Sequence, residues 1–303
     1  MTRTLHNTLK ALLITICMLA GANARAAVLF DYPSPPDSIN NLQERCDYIV
    51  ARFWERCNFD RAMLNKAQFA SAFSDWVDIM PYASAQTVHS AIDNLLERFN
   101  KKNDITLELA RMAERYLYSD SAEIRSEELM LPFATAAAKV KKAPKEEKAH
   151  FENIARILSS SSLNATVPPL AFTRTDGSKG NLGEITGKSV LLFFANPDEL
   201  KSTVARIRLS SDINTSELIE RGELAVVYIN PGISNAKWVD ECKNLPESWT
   251  CVSIPDAAKY FNLSEFPSFF FLNSHHDVLA KNLDSDYLIG AFRTANQARK
   301  RHE

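Results

Sequence analysis

The sequence predicts a chain in two parts, an all-α half followed by an α/β half with a central mixed sheet flanked by helices. Three observations carry this reading. Apolar residues recur at three- and four-residue steps from Ser38 to about Ser160. No glycine occurs between residues 22 and 176, which suits a helical array and not a sheet. From Pro169 onward, continuous apolar runs alternate with amphipathic stretches, the order of a layered α/β domain. At 303 residues the chain is also long for a single core.

The N-terminus reads as an address rather than a structural element. Arg3 and Lys10 precede the apolar run ALLITICMLAGA, and small residues follow at Ala22, Ala24 and Ala26. Basic, apolar, then small is the order of a secretory signal, so residues 1–26 are expected to be removed on export to the periplasm. Cys17 would be the lipidated residue of a lipoprotein, but Ile16 stands where such signals want a small side chain. The run is too short for a membrane anchor, and nothing after it is long and apolar enough to span a bilayer. The formal net charge of -2 gives no bulk attraction to nucleic acid.

Residues 27–37 form an extended lead-in, with prolines at 33, 35 and 36. The helical half, 38–160, opens with Ile39, Leu42, Cys46, Ile49, Val50, Phe53 and Trp54 on one stripe. A second stripe, Phe69, Phe73, Trp76, Val77 and Met80, ends at Pro81. Val88, Ile92, Leu95 and Phe99 make a third, and further stripes pass through Leu107, Met112, Tyr116, Leu129 and Phe133. KVKKAPKEEKAH is a charged break and FENIARIL closes the half, for five or six helices in all. Cys46 and Cys57, read on one continuous helix, would stand about 16 Å apart, too far to bridge. Their apolar neighbours make them buried core thiols.

The serine run before Pro168 and Pro169 marks a linker over 161–168, and the α/β half covers 169–303. Its opening reads as a hairpin turning at Asp176-Gly177. KSVLLFFAN, ELAVVYINP and FPSFFFLN are buried strands, WTCVSIP a short one and HHDVLAKN an edge. Helices are expected after the first strand, over SNAKWVDECKNL, briefly at DAAKYFNL, and over the C-terminal SDYLIGAFRTANQARK.

This order of hairpin, strand, helix, strand, helix, proline-led strand, edge strand and helix resembles the thioredoxin-like fold. Two stretches carry the likeness: FFANPDELKS at the first strand–helix junction, and EFPSFFFLN. The resemblance implies that Pro267 is the family's cis-proline beside the active site, and that Phe266 presents its backbone to a bound peptide. Segments such as DYPSPPDSIN, RCDYIVARFW and YLYSDSAEIRSEELMLP resemble a helical domain of unknown function that precedes thioredoxin-like domains in exported proteins of Gram-negative bacteria.

The departure from the family bears most on function. Redox-active members place C-x-x-C at the strand–helix junction. Aligned on NPD, those positions are Glu199 and Ser202, and no cysteine lies between 58 and 241. Thiol–disulfide exchange needs an attacking thiolate and a resolving sulfur, which a carboxylate and a hydroxyl do not supply. The turn instead reads as a helix start, with Asn196 as cap, Pro197 at the first helical position and Glu199 completing a capping box. The expectation is a non-catalytic module for protein or peptide binding or for assembly, with Glu199, Phe266 and Pro267 as its binding residues, no cofactor, and an exported protein or peptide as partner.

The alternative is a thiol–disulfide oxidoreductase or isomerase working through Cys242 and Cys251. KNLPESWT between them is turn-like, so a bridge is permitted, although neither lies on the helix that builds the family's active site. Other chemistry has little support. His275 and His276 are adjacent in a turn and point apart, which suits a solvated loop and not a metal. The sequence has no H-x-x-x-H, G-x-S-x-G or P-loop. Trp238 and Trp249 are read as packing the turn at Leu245-Pro246.

Overall fold

The computed structural model describes residues 28–301. The signal reading of 1–26, Cys17 included, lies outside them. By internal contacts the chain divides into two units near residues 142 and 143.

In the first unit the helices are α1 (Leu42–Arg52), α2 (Phe59–Leu64), α3 (Lys66–Ile79), α4 (Ala85–Phe99), α5 (Asn103–Ala113) and α6 (Glu127–Ala138). The starts of α1 to α4 are set by side chains that accept from a backbone N–H three residues on. Asn41, Asn58, Asn65 and Ser84 cap α1, α2, α3 and α4 in turn. Pro81 enters a short 3₁₀ turn, Met80–Tyr82, directly after α3. The core is aromatic. Phe53, Phe69, Phe73 and Trp76 are fully buried and Trp54 nearly so. Trp54 and Trp76 meet edge-on, with centroids 5.6 Å apart at 78°. The proline-rich lead-in joins this core: Phe30 and Tyr32 pack on Phe53, and Tyr32 donates to Asp75 at 2.6 Å.

One reading of this unit is corrected. Cys46 and Cys57 are both buried free thiols, but they do not share a helix, because α1 ends at Arg52 and the chain turns before Asn58 caps α2. Helix α7 (Lys145–Ser160) falls in the second unit, where Arg156 donates to the Lys259 carbonyl and lies over the Tyr260 ring.

The second unit carries seven strands: β1 (Ala171–Arg174), β2 (Lys179–Asn181), β3 (Ser189–Phe194), β4 (Leu224–Asn230), β5 (Thr250–Ser253), β6 (Ser268–Asn273) and β7 (Val278–Lys281). They form one sheet in the order β2-β1-β5-β4-β3-β6-β7. The β3–β4 and β4–β5 pairs are parallel, and the others antiparallel. Helices α8 (Leu200–Ser211), α9 (Ile213–Glu220), α10 (Ala236–Cys242) and α11 (Ser285–Lys300) complete it. DAAKYFNL contributes only a 3₁₀ turn, Ala257–Lys259. The serine-rich segment is integrated into the unit: Asn164 and Val167 donate to carbonyls of Val278 and His276, and Val278 donates back to Ala165. Val167 is buried with the sheet core.

The central strands show why their sequences are continuously apolar. Val190, Leu192 and Phe194 of β3 enter one core with Phe172, Ile229, Val252 and Phe270. Leu191 and Phe193 enter the opposite core with Tyr228, Trp238, Trp249 and Phe269. Side chains alternate between faces along a strand, and here both faces are covered.

Candidate functional site

Strand β3 runs antiparallel to β6 with Phe194 opposite Ser268. This register brings the turn after β3 and the Phe266–Pro267 step before β6 to the same end of neighbouring strands. The Phe266–Pro267 peptide is cis. Both residues are half-buried, and Phe266 packs against the Phe194 core. Because β4 is parallel to β3, with Ile229 opposite Phe194, the loop after β4 reaches this end too. Lys237 of α10 forms an ion pair there with Asp198 of the turn.

The turn differs from the helix start read in the sequence. Helix α8 begins at Leu200, and its N-cap position is Glu199, whose side chain makes no capping bond. Asn196 instead organises the turn that precedes the helix. Its Oδ1 accepts from Asp198 N at 3.0 Å, its Nδ2 donates to Glu199 Oε1 at 3.2 Å, and its backbone N donates to Ser202 Oγ at 3.2 Å. An Asx-turn competes with capping for the same side-chain oxygen, and here it prevails. Glu199 is half-buried and Ser202 fully buried. Glu199 and Ser202, the positions that the sequence resemblance sets against the family's cysteines, are therefore both bonded to Asn196.

Exposed apolar side chains also stand at the rim of this sheet end. Leu200 is 78 % exposed and Ile233, in the loop after β4, is 81 % exposed. Val204 and Ile207 are exposed as well, and their spacing from Leu200 places all three on one face of α8. The sequence reading did not single these out, although the four- and three-residue steps were visible.

Cys242 and Cys251 are elsewhere and together. Cys242 ends α10, Cys251 lies on β5 beside Tyr228 of β4, and the two thiols share a hydrogen bond. They are half-buried free thiols on the wall of a surface cleft of about 400 Å3. Arg174, Asp176, Lys243, Pro246 and Trp249 also line it. The bond to Cys242 and then burial hold the Cys251 thiol far above the ordinary range. Next to them is a buried network: Glu241 pairs with Arg206 at 2.8 Å and accepts from Tyr228 Oη at 2.7 Å. Burial and then the bond to Glu241 raise the Tyr228 phenol.

His276 Nε2 sits 3.0 Å from the Ile185 carbonyl, while His275 is exposed. No group of three metal-ligating side chains occurs among the described residues, and no helix there is long and apolar enough to cross a membrane. Trp238 and Trp249 are both buried in the core on the Phe193 face.

Residues 6–161 match a family model described as a domain of unknown function, DUF5106. Among curated proteins, none matches this chain. Among solved structures, a thioredoxin-like protein from Bacteroides caccae is similar at 21 % identity and a TM-score of 0.71, over 90 % of this chain and 99 % of that one. The C-terminal domain of an uncharacterised Bacteroides fragilis protein is similar at 18 % identity and a TM-score of 0.41, over 44 % of this chain and 99 % of its own. The thioredoxin domain of a thiol-disulfide oxidoreductase from Bacteroides vulgatus is similar at 15 % identity and a TM-score of 0.38, over 44 % of this chain and 96 % of its own. The first of these likenesses bears on the fold: a helical region followed by a thioredoxin-like domain.

Proposed function

We propose, from the premise that this chain belongs to the DUF5106 family and ends in a thioredoxin-like domain, that it is an exported, non-catalytic module that binds an extended peptide segment of another exported protein. The observation that carries this reading is the register of β3 against β6, which gathers the Asn196–Ser202 turn and Phe266–Pro267 at one sheet end. Sulfur is absent there, so no exchange chemistry is available at that end. Apolar surface is present there: Leu200 and Ile233 supply the area that would make a peptide's burial favourable. Glu199 and Phe266 would contact the bound segment, with Ser202 holding the turn from beneath.

The test is affinity capture from periplasmic extract with the mature chain and with its Glu199→Ala, Leu200→Asp and Phe266→Ala variants. The expected result is a partner retained by the parent and lost with Leu200→Asp and Phe266→Ala. Equal retention by all variants would overturn the reading.

A second reading, turnover through Cys242 and Cys251, has one observation in its favour: the thiols touch. Against it, catalytic thiols are those whose thiolate is stabilised, and Cys251 is held in the opposite sense.

A further inference from the structure

Cys242 and Cys251 are two sulfurs in contact, on different elements, at the wall of an open cleft. Eight residues separate them, so a bridge would staple the end of α10 to β5 across the Leu245-Pro246 turn. The surroundings of that turn are already fixed. Trp238 and Trp249 are buried on either side of it, and Glu241, next to Cys242, is anchored by Arg206 and Tyr228. Sulfurs held at contact by rigid neighbours require little backbone movement to bond.

We propose that Cys242 and Cys251 form a reversible disulfide, taken from a small or protein disulfide that enters the cleft, and that this bond locks the α10–β5 loop rather than serving as a catalytic couple. The exchange balances without any other reactant. Cys242 sulfur attacks one sulfur of the donor R–S–S–R, and the first R–S⁻ leaves. Cys251 sulfur then attacks the Cys242 side of the mixed disulfide, and the second R–S⁻ leaves. The two thiol protons end on the two released R–SH molecules. The protein's sulfurs lose two electrons and the donor gains them. A dithiol becomes a strong oxidant only when its reduced form is stabilised as a thiolate. Cys242 stands at the C-terminal end of α10, where the helix dipole disfavours that form, and the bond to Cys242 and burial act in the same sense on Cys251, so the protein disulfide, once made, is retained. This inference does not depend on the peptide-binding reading, because the cleft and the Phe266–Pro267 sheet end are different places.

The experiment incubates the folded full chain with oxidised glutathione, blocks remaining thiols with a maleimide, and maps peptides after trypsin. Cleavage at Lys237, Lys243 and Lys259 separates the two cysteines. The expected result is loss of both thiols from labelling, with the peptides 238–243 and 244–259 joined and released again by dithiothreitol. The joined form should persist in an equimolar mixture of oxidised and reduced glutathione. Continued maleimide labelling of both residues would overturn the proposal, as would a stable glutathione adduct on Cys242 with Cys251 free. Ready return to the dithiol in the equimolar mixture would overturn the lock. Cys242→Ser should leave Cys251 either labelled by the maleimide or carrying glutathione, and a Cys251 that is neither labelled nor glutathionylated in that variant would also refute the assignment.

Discussion

The turn after β3 and the cleft between α10 and β5 are opposites. The first stands where the resemblance to the thioredoxin-like fold would set sulfurs, and it is held by hydrogen bonds among Asn196, Asp198, Glu199 and Ser202 beside the Asp198–Lys237 ion pair. The second holds two sulfurs in contact, but with Cys242 at the C-terminal end of a helix, not at an N-terminus where thiolates are stabilised. Position in a fold and chemistry at that position are thus separable. The scaffold persists through strand register and core packing, neither of which needs a cysteine.

Four changes should break or sharpen this contrast. The largest effect is expected beside the cleft. Arg206→Met removes the partner of Glu241, and both side chains are largely buried at 15 % and 10 % exposure. Stranding that carboxylate should cost about 3–5 kcal/mol in urea denaturation. A loss below about 1 kcal/mol, the size of a screened surface pair, would contradict the buried network.

At the turn, Ser202→Ala deletes a fully buried acceptor and leaves the Asn196 N–H without its oxygen. A loss of about 1–3 kcal/mol is expected, read as an earlier denaturation midpoint at unchanged slope. No change would mean that the turn does not depend on Ser202.

A thiol in the helical unit supplies the control for thiols without a partner. Burial pushes Cys57 from 9.0 up to about 12. A raised folded value contributes stability that is complete below the unfolded value and is lost as pH rises toward the folded one. Stability should therefore decline between pH 9 and 12, by about 1.4 kcal/mol at pH 10 from this residue. Cys57→Ala, though less stable throughout, should show a shallower decline. Parallel curves for the two proteins would contradict the burial of that thiol.

The smallest effect belongs to Glu199→Ala, which removes one bond from a half-buried carboxylate to Asn196 Nδ2. At most about 1 kcal/mol should be lost. A larger loss would mean that Glu199 organises the turn, a role the geometry gives to Asn196.

Much of this architecture was legible in the residues. The caps at Asn41, Asn58, Asn65 and Ser84 stand just before the apolar stripes they start, and the runs in β3, β4 and β6 announce strands covered on both sides. The α1 boundary was hidden because the apolar spacing runs on through Phe53 and Trp54, which pack beyond the helix end. The role of Asn196 was hidden for a different reason. The same side-chain oxygen can cap a helix or close an Asx-turn, and only the backbone path decides. The integration of Asn164–Val167 with β7 was hidden because serine-rich composition reports turn tendency and not long-range pairing. The contact of Cys242 with Cys251 depends on where α10 ends over β5, which spacing permits but does not dictate.

The central claim is the proposal that no thiol–disulfide exchange runs at the turn after β3. Its most direct test is insulin disulfide reduction, followed as turbidity, by the mature chain and by the Glu199→Cys/Ser202→Cys double variant. The account predicts no turnover by the parent and a reducible 199–202 disulfide in the double variant. Turnover by the parent that disappears in Cys242→Ala would contradict it, and so would failure of the two introduced cysteines to pair.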